Sequence, residues 1–184
     1  MEIILASSSP RRQELLAAAG VQFEVVPSHA DELHDAEIPL AVLCEKNAEL
    51  KAGAVAGMHP KAVVIGSDTL VWIAGEPLGK PRDLEEARAM LHKLSGREHT
   101  VCTGVSVIFP SGRVENFHEL TRVKFRQLDD AAISVYFERA NPLDKAGAYG
   151  IQESGELIVE SIDGAFDNVM GLPVARLLAV LETS

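Results

Sequence analysis

The stretch TVCTGVSVIFPSGRVENFHELTRVKFRQL, residues 100–128, decides how this chain folds. Two segments that alternate apolar with polar residues, 100–109 and 114–128, flank Pro110-Ser111-Gly112. Period-two alternation marks half-buried strands, and a turn-forming tripeptide between two such runs marks an antiparallel hairpin. No other part of the chain carries so strong a hairpin signal.

Working outward, EIILA (2–6) reads as a short buried strand, PRRQELLAAAG (10–20) as a helix closed by Gly20, and VQFEVV (21–26) as a second strand. SHADELHDAEIP (28–39) is a polar loop, and Leu40 to Val55 an amphipathic helix. AVVIG (62–66) is another buried strand, followed by a hairpin over TLVWIAGEPLG (69–79) with Gly75-Glu76 in the turn. Ser9 is placed to cap the first helix, with Pro10 at its first position; Asp83 caps a helix through Leu94, which Ser95-Gly96 ends. Asp129 or Asp130 starts a helix to Arg139, LIVESI (157–162) is a strand, and PVARLLAVLE (173–182) is the last helix. The pattern predicts an α/β chain: a mixed twisted sheet with flanking helices, in a single domain over residues 1–184. The long hairpin points to a second lobe, and a cleft between lobes is a usual place for a ligand.

The chain has 184 residues, 47% of them apolar, 24% charged, and a net charge of −10. With no Lys/Arg-rich run to neutralise phosphates, duplex nucleic acid and polybasic membrane attachment are excluded as partners. No apolar run approaches the roughly 18–20 residues of a membrane span, and MEIILASSSP lacks the basic region of a signal peptide. Cys44 and Cys102 form no CxxC pair, which fits buried thiols in a reducing, cytoplasmic setting. The expected partner is a small molecule, and a few local cations or a divalent metal suffice to bind a phosphorylated one.

Five segments carry possible chemistry. In SSSPRR (7–12) a strand feeds a helix N-terminus, which offers N–H groups and hydroxyls to an anion. Arg11 and Arg12 disfavour that positive helix end unless phosphates sit there, or unless both face solvent, Arg11 pairing with Glu14. Asp68 in IGSDTLV follows a buried strand, where an acidic residue faces a ligand crevice or bonds its own turn. In SHADELHDAE, Asp31, Glu32, Asp35 and Glu37 suit Mg²⁺ or Mn²⁺, although most read as a solvated acidic loop. Lys80 in LGKPRD suits a phosphate, and the glycines of DKAGAYGIQ (144–152) allow close backbone approach or merely connect loop to strand. The histidines show no partner spacing, and Cys44 reads as core.

Together these segments resemble the Maf family of nucleoside triphosphate pyrophosphatases. The matching stretches are LASSSPRRQELL, FEVVPSHADE, IGSDTLV, LGKPRD with the AxxML…LSG helix, VCTGV, PLDKAGAYGIQ and NVMGLP, and they span almost the whole chain. The resemblance implies a fold similar to that of the inosine triphosphate pyrophosphatases, and metal-dependent hydrolysis to monophosphate and pyrophosphate. It further implies that Asp68 activates water as general base or metal-bound carboxylate, and that Glu32 is a second metal ligand. Ser7, Arg11, Arg12 and Lys80 would hold the triphosphate, with a helix lysine that is Lys51 or Lys46. Arg11, Thr69 and Gln152 match the branch acting on dTTP and UTP, which would clear non-standard pyrimidine nucleotides. The branch acting on 7-methyl-GTP, a non-catalytic regulator of septum formation, and a possible homodimer are the other readings that the resemblance carries.

Overall fold

A computed structural model describes residues 2–35 and 37–183. The elements in chain order are β1 (Ile3–Leu5), α1 (Pro10–Ala18), β2 (Glu24–Val25), α2 (Leu40–Ala56), β3 (Val63–Ile73) and β4 (Glu76–Leu78). They continue with α3 (Leu84–Leu94), β5 (Glu98–Ile108), β6 (Val114–Phe125), α4 (Asp130–Arg139), β7 (Val159–Asp163), α5 (Phe166–Met170) and α6 (Val174–Leu181). The strands form one seven-stranded sheet in the order β2-β1-β3-β5-β6-β7, with β4 on β3. β1 runs parallel to β2 and β3, whereas β4 is antiparallel to β3 and β7 to β6. The sheet is therefore mixed, as the sequence predicts. No helix among the described residues is long and apolar enough to cross a membrane.

The chain divides into two compact units. The first takes in the residues up to Thr69, Thr103–Glu119 and the residues from Gly171 on; the second comprises Leu70–Cys102 and Leu120–Met170. β3, β5 and β6 each contribute residues to both.

In the first unit, strand alternation sorts side chains onto two covered faces. Leu5, Val63 and Ile65 share one core with Leu16 of α1 and Leu177 of α6. Ile4 and Val64 share the other with Ala52 and Val55 of α2. A strand buried on both faces must be apolar at nearly every position, which is why AVVI shows no alternation. The core of the second unit gathers Val71, Leu91, Val101, Phe125, Ile133 and Tyr136.

Five local expectations change. AVVIG and the first arm of the expected hairpin are not two strands but the single strand β3, which runs through Gly66 and Ser67. The turn after it is Ala74-Gly75 rather than Gly75-Glu76: Ile73 is in register with Glu76, and both intervening residues have positive φ, 53° and 85°. That is the twist a two-residue hairpin turn requires. β2 keeps only two residues of VQFEVV, and β7 begins at Val159 because Gly155–Leu157 wind into a short 3₁₀ turn. Ser9 occupies the N-cap of α1 with extended backbone, yet its side chain makes no capping hydrogen bond. The Asp83 and Asp129 caps form, accepting from the Glu86 and Ala132 amides at 2.8 Å.

Candidate active site

The alternation of β3 continues past its apolar half. Positions 64, 66 and 68 face α2, so Asp68 meets that helix; positions 65, 67 and 69 face α1 and α6, so Ser67 and Thr69 meet Arg12 and Gly171. On α2, Asn47 and Lys51 lie four residues apart and share one face. Two glycines let this helix approach the sheet closely. A Cβ on Gly66 would lie 2.2 Å from the Ala48 carbonyl oxygen, and one on Gly104 would lie 2.3 Å from the Cys44 carbonyl carbon.

The result is a tight polar group around Asp68, which is only 4% exposed. Lys51 Nζ donates to Asp68 Oδ1 at 2.7 Å and lies 2.8 Å from Glu32 Oε1. Asn47 Nδ2 donates to Asp68 Oδ2 at 3.0 Å and to the Leu33 carbonyl at 3.1 Å, while its Oδ1 accepts from the Leu33 amide at 2.7 Å. Asn47 thus pins the loop that presents Glu32. One ammonium bridges two carboxylates, the less buried of which, Glu32, opens to solvent with a side chain 40% exposed.

A second group lies on the other face of β3. Arg12 donates through Nε to the Gly171 carbonyl at 2.8 Å, through one terminal nitrogen to Ser7 Oγ at 3.2 Å, and through the other to Thr69 Oγ1 at 3.0 Å. Ser67 Oγ donates to the same Gly171 carbonyl at 2.9 Å, and Thr69 and Thr103 hydroxyls lie 2.9 Å apart. Gly171 has φ 111°, and a Cβ there would lie 3.2 Å from both Arg12 Nε and Thr69 Oγ1. No carboxylate among the described residues forms an ion pair with Arg12. Desolvation lowers its pKa from the usual arginine value, and the field of Asp68 opposes that shift. Three of its five N–H groups are committed within the protein, leaving two for a ligand.

The structure brings together Ser7, Arg12 and Thr69 in one group and Glu32, Lys51 and Asp68 in the other. Lys51, not the exposed Lys46, is the helix lysine of the cluster. Arg11 is half-buried and the pair with Glu14 does not form. Of the acidic loop only Glu32 joins the cluster; Asp31 and Asp35 are exposed, and Asp35 caps the Glu37 amide at 2.9 Å. Lys80 and Gln152 belong to the second unit, where Lys80 is exposed and Gln152 partly buried. Asn47, Ser67, Thr103 and Gly171 were not legible as site residues. The one available signal was a polar Asn47 one turn before Lys51 in an otherwise apolar helix face.

A family model described as Maf-like protein matches residues 2–184. The chain belongs to the Maf-like family. Among relatives, it is 50% identical over 180 residues to a protein of Akkermansia muciniphila named dTTP/UTP pyrophosphatase, covering 98% of this chain and 95% of that one. A Bacillus pumilus protein of the same name is 48% identical over 182 residues, covering 99% and 96%. Among solved structures, the Staphylococcus aureus Ham1 protein aligns with a TM-score of 0.59 at 17% identity, over 100% of this chain and 99% of that one. A HAM1 protein from Coxiella burnetii aligns at 0.53 with 13% identity, over the full length of both. These two likenesses show that the Maf-like chain shares the Ham1 fold.

Proposed function

We propose that this Maf-like chain is a nucleoside triphosphate pyrophosphatase that hydrolyses dTTP and UTP to the monophosphate and pyrophosphate. The single observation that carries the chemistry is the convergence of two carboxylates on one cation, Glu32 and Asp68 about Lys51 Nζ. The substrate class follows from relatives of 48–50% identity that bear that name.

A divalent metal fits these residues. Both carboxylates already converge on a positive charge, and Mg²⁺ or Mn²⁺ takes one or two carboxylates together with substrate phosphates rather than an all-protein cage. No cluster of three or more His, Cys, Asp or Glu side chains suited to a metal occurs among the described residues. Glu32 and Asp68 would hold the ion; it would neutralise phosphate charge and polarise the phosphoryl oxygens.

The residues of the chain supply the rest. Asp68 accepts the proton of the water that attacks the α-phosphorus, and Asn47 and Lys51 hold its two oxygens in position for that task. Arg12, with its two uncommitted N–H groups, and Lys80 stabilise the charge that develops on the leaving pyrophosphate. Ser7 and Arg11 complete the triphosphate contacts at the α1 N-terminus, where a phosphate is at home. Arg11, Thr69 and Gln152 read the base.

The test is pyrophosphate release from the purified protein with Mg²⁺ or Mn²⁺ across dTTP, UTP, CTP, GTP, ATP and 7-methyl-GTP. Turnover confined to dTTP and UTP is expected. Turnover of 7-methyl-GTP alone would overturn the specificity, and nucleotide binding without any turnover would point to a regulator instead.

A further inference from the structure

Lys145 is the most buried charged residue outside the two groups just described, at 1% exposure. Its ammonium donates to the Asn141 carbonyl at 2.6 Å and to Asp144 Oδ1 at 2.7 Å, and lies 2.9 Å from Glu153 Oε2. A lysine has three donors, and all three are satisfied. Lys145 therefore has no hydrogen left for a phosphate, and its side chain does not reach solvent. A buried ion pair of this kind is weak support for stability, and its better-attested role is fixing one geometry.

The geometry it fixes leads to Gln152. Glu153, held through Oε2 by Lys145, accepts through Oε1 from Gln152 Nε2 at 3.5 Å. The Lys145 stem fills the space beside Gly150, where a Cβ would lie 2.6 Å from Cε and 3.4 Å from Gln152 Oε1. Gly150 is anchored from the other side by Tyr136, whose hydroxyl accepts its amide at 2.9 Å. With its nitrogen turned to Glu153, the amide leaves Oε1 buried and without a hydrogen-bond partner. A buried acceptor with no donor is costly in the empty protein and is repaired by a ligand that brings an N–H.

We propose that Lys145, acting through Glu153, is a positioning residue that fixes the orientation of the Gln152 amide, so that its carbonyl oxygen receives the imide N–H shared by thymine and uracil. This rests on the reading of the chain as a dTTP/UTP pyrophosphatase in which Gln152 contacts the base. Cytosine has an acceptor nitrogen at the same ring position, so a fixed carbonyl rejects it, and a flipped amide would accept it. Glu153 is a pure acceptor when ionised and forbids the flip. A glutamine in its place permits it.

The experiment compares kcat/KM for UTP and for CTP in the wild type, Lys145→Met, Glu153→Gln, Gln152→Ala and the Lys145→Met/Gln152→Ala double variant. A merely structural role lowers both nucleotides together and leaves their ratio unchanged. The expected result is a UTP-to-CTP ratio reduced by about tenfold in Lys145→Met and Glu153→Gln, since a site built to bond one hydrogen pattern discriminates by that bond. Glu153→Gln should also raise CTP turnover in absolute terms, and Lys145→Met should add nothing to Gln152→Ala. An unchanged ratio in Lys145→Met and Glu153→Gln, with a lowered one in Gln152→Ala, overturns the positioning role while leaving the base reading intact. An unchanged ratio in Gln152→Ala overturns the base reading itself. Should Lys145→Met not fold, Glu153→Gln decides alone, since Glu153 is partly exposed.

Discussion

Asp68 takes hydrogen bonds on both oxygens, from Lys51 on one and Asn47 on the other, so the carboxylate and its supports can be tested separately. Replacing Asp68 by Asn keeps its shape but removes the proposed proton acceptor; turnover should fall by roughly 10²–10⁴-fold with nucleotide affinity largely kept. Steady-state kinetics beside calorimetric binding measures both, and near-full activity would remove Asp68 from the base role. Asn47→Ala acts differently. It strands the Leu33 amide and carbonyl as well as Asp68 Oδ2, so it should cost about 1–3 kcal/mol of stability and lower turnover by releasing the Glu32 loop. Urea unfolding with an activity assay reads both effects. Asp68 was legible because an acidic residue just after a buried strand stands out in a sequence. Glu32 was one of four acidic loop residues and Lys51 one of two helix lysines, and only the family resemblance brought them forward. Asn47 was not legible, since nothing local distinguishes a mid-helix asparagine that reaches a neighbouring strand from one facing solvent. Ser67 and Thr103 escaped for the same reason: their partners lie 104 and 34 residues away.

At the scale of elements, the site depends on how closely α2 lies on β3 and β5. Gly104→Ala would drive a methyl group to 2.3–2.4 Å from the Cys44 carbonyl group, which is backbone and has no rotamer to yield. Overpacking of this kind costs about 1–3 kcal/mol or more, and here it should also lower turnover, because the displaced helix carries Asn47 and Lys51. Chemical denaturation and kinetics on the same variant check this; an undisturbed site would contradict the close-approach role of the glycine. By contrast, Asp83→Ala removes only the cap of α3 and should cost about 1 kcal/mol with kcat unchanged. The long hairpin and that cap were readable because alternation and capping are local codes. The continuity of β3 was not, because Gly66-Ser67 punctuates the sequence as a turn would, and only pairing with strands remote in the chain carries it through. The tight 3₁₀ turn before β7 likewise interrupts an apolar run that reads as strand.

For the molecule as a whole, acid should act through His99. Burial holds its pKa at about 4, down from 6.5, with the ring edge-on to Phe125 and Nε2 2.7 Å from the Tyr149 hydroxyl. The unfolded chain binds this proton more readily than the folded one, so stability is full above about pH 6.5 and falls as pH drops toward 4. The full effect is on the order of 3 kcal/mol, and His99→Gln should flatten the dependence of Tm on pH across that window. An unchanged slope would show that His99 protonates without opposing the fold. The mixed sheet with covering helices was legible from hydrophobic pattern alone, whereas the hydrogen-bonded groups of the site emerge only when distant segments meet. The central claim, that water attacks the α-phosphorus at Asp68, is tested most directly by letting the protein turn over dTTP in ¹⁸O-water and locating the label by mass spectrometry. The account predicts one labelled oxygen in dTMP and none in pyrophosphate. Label in the pyrophosphate, or orthophosphate as the product, would contradict it.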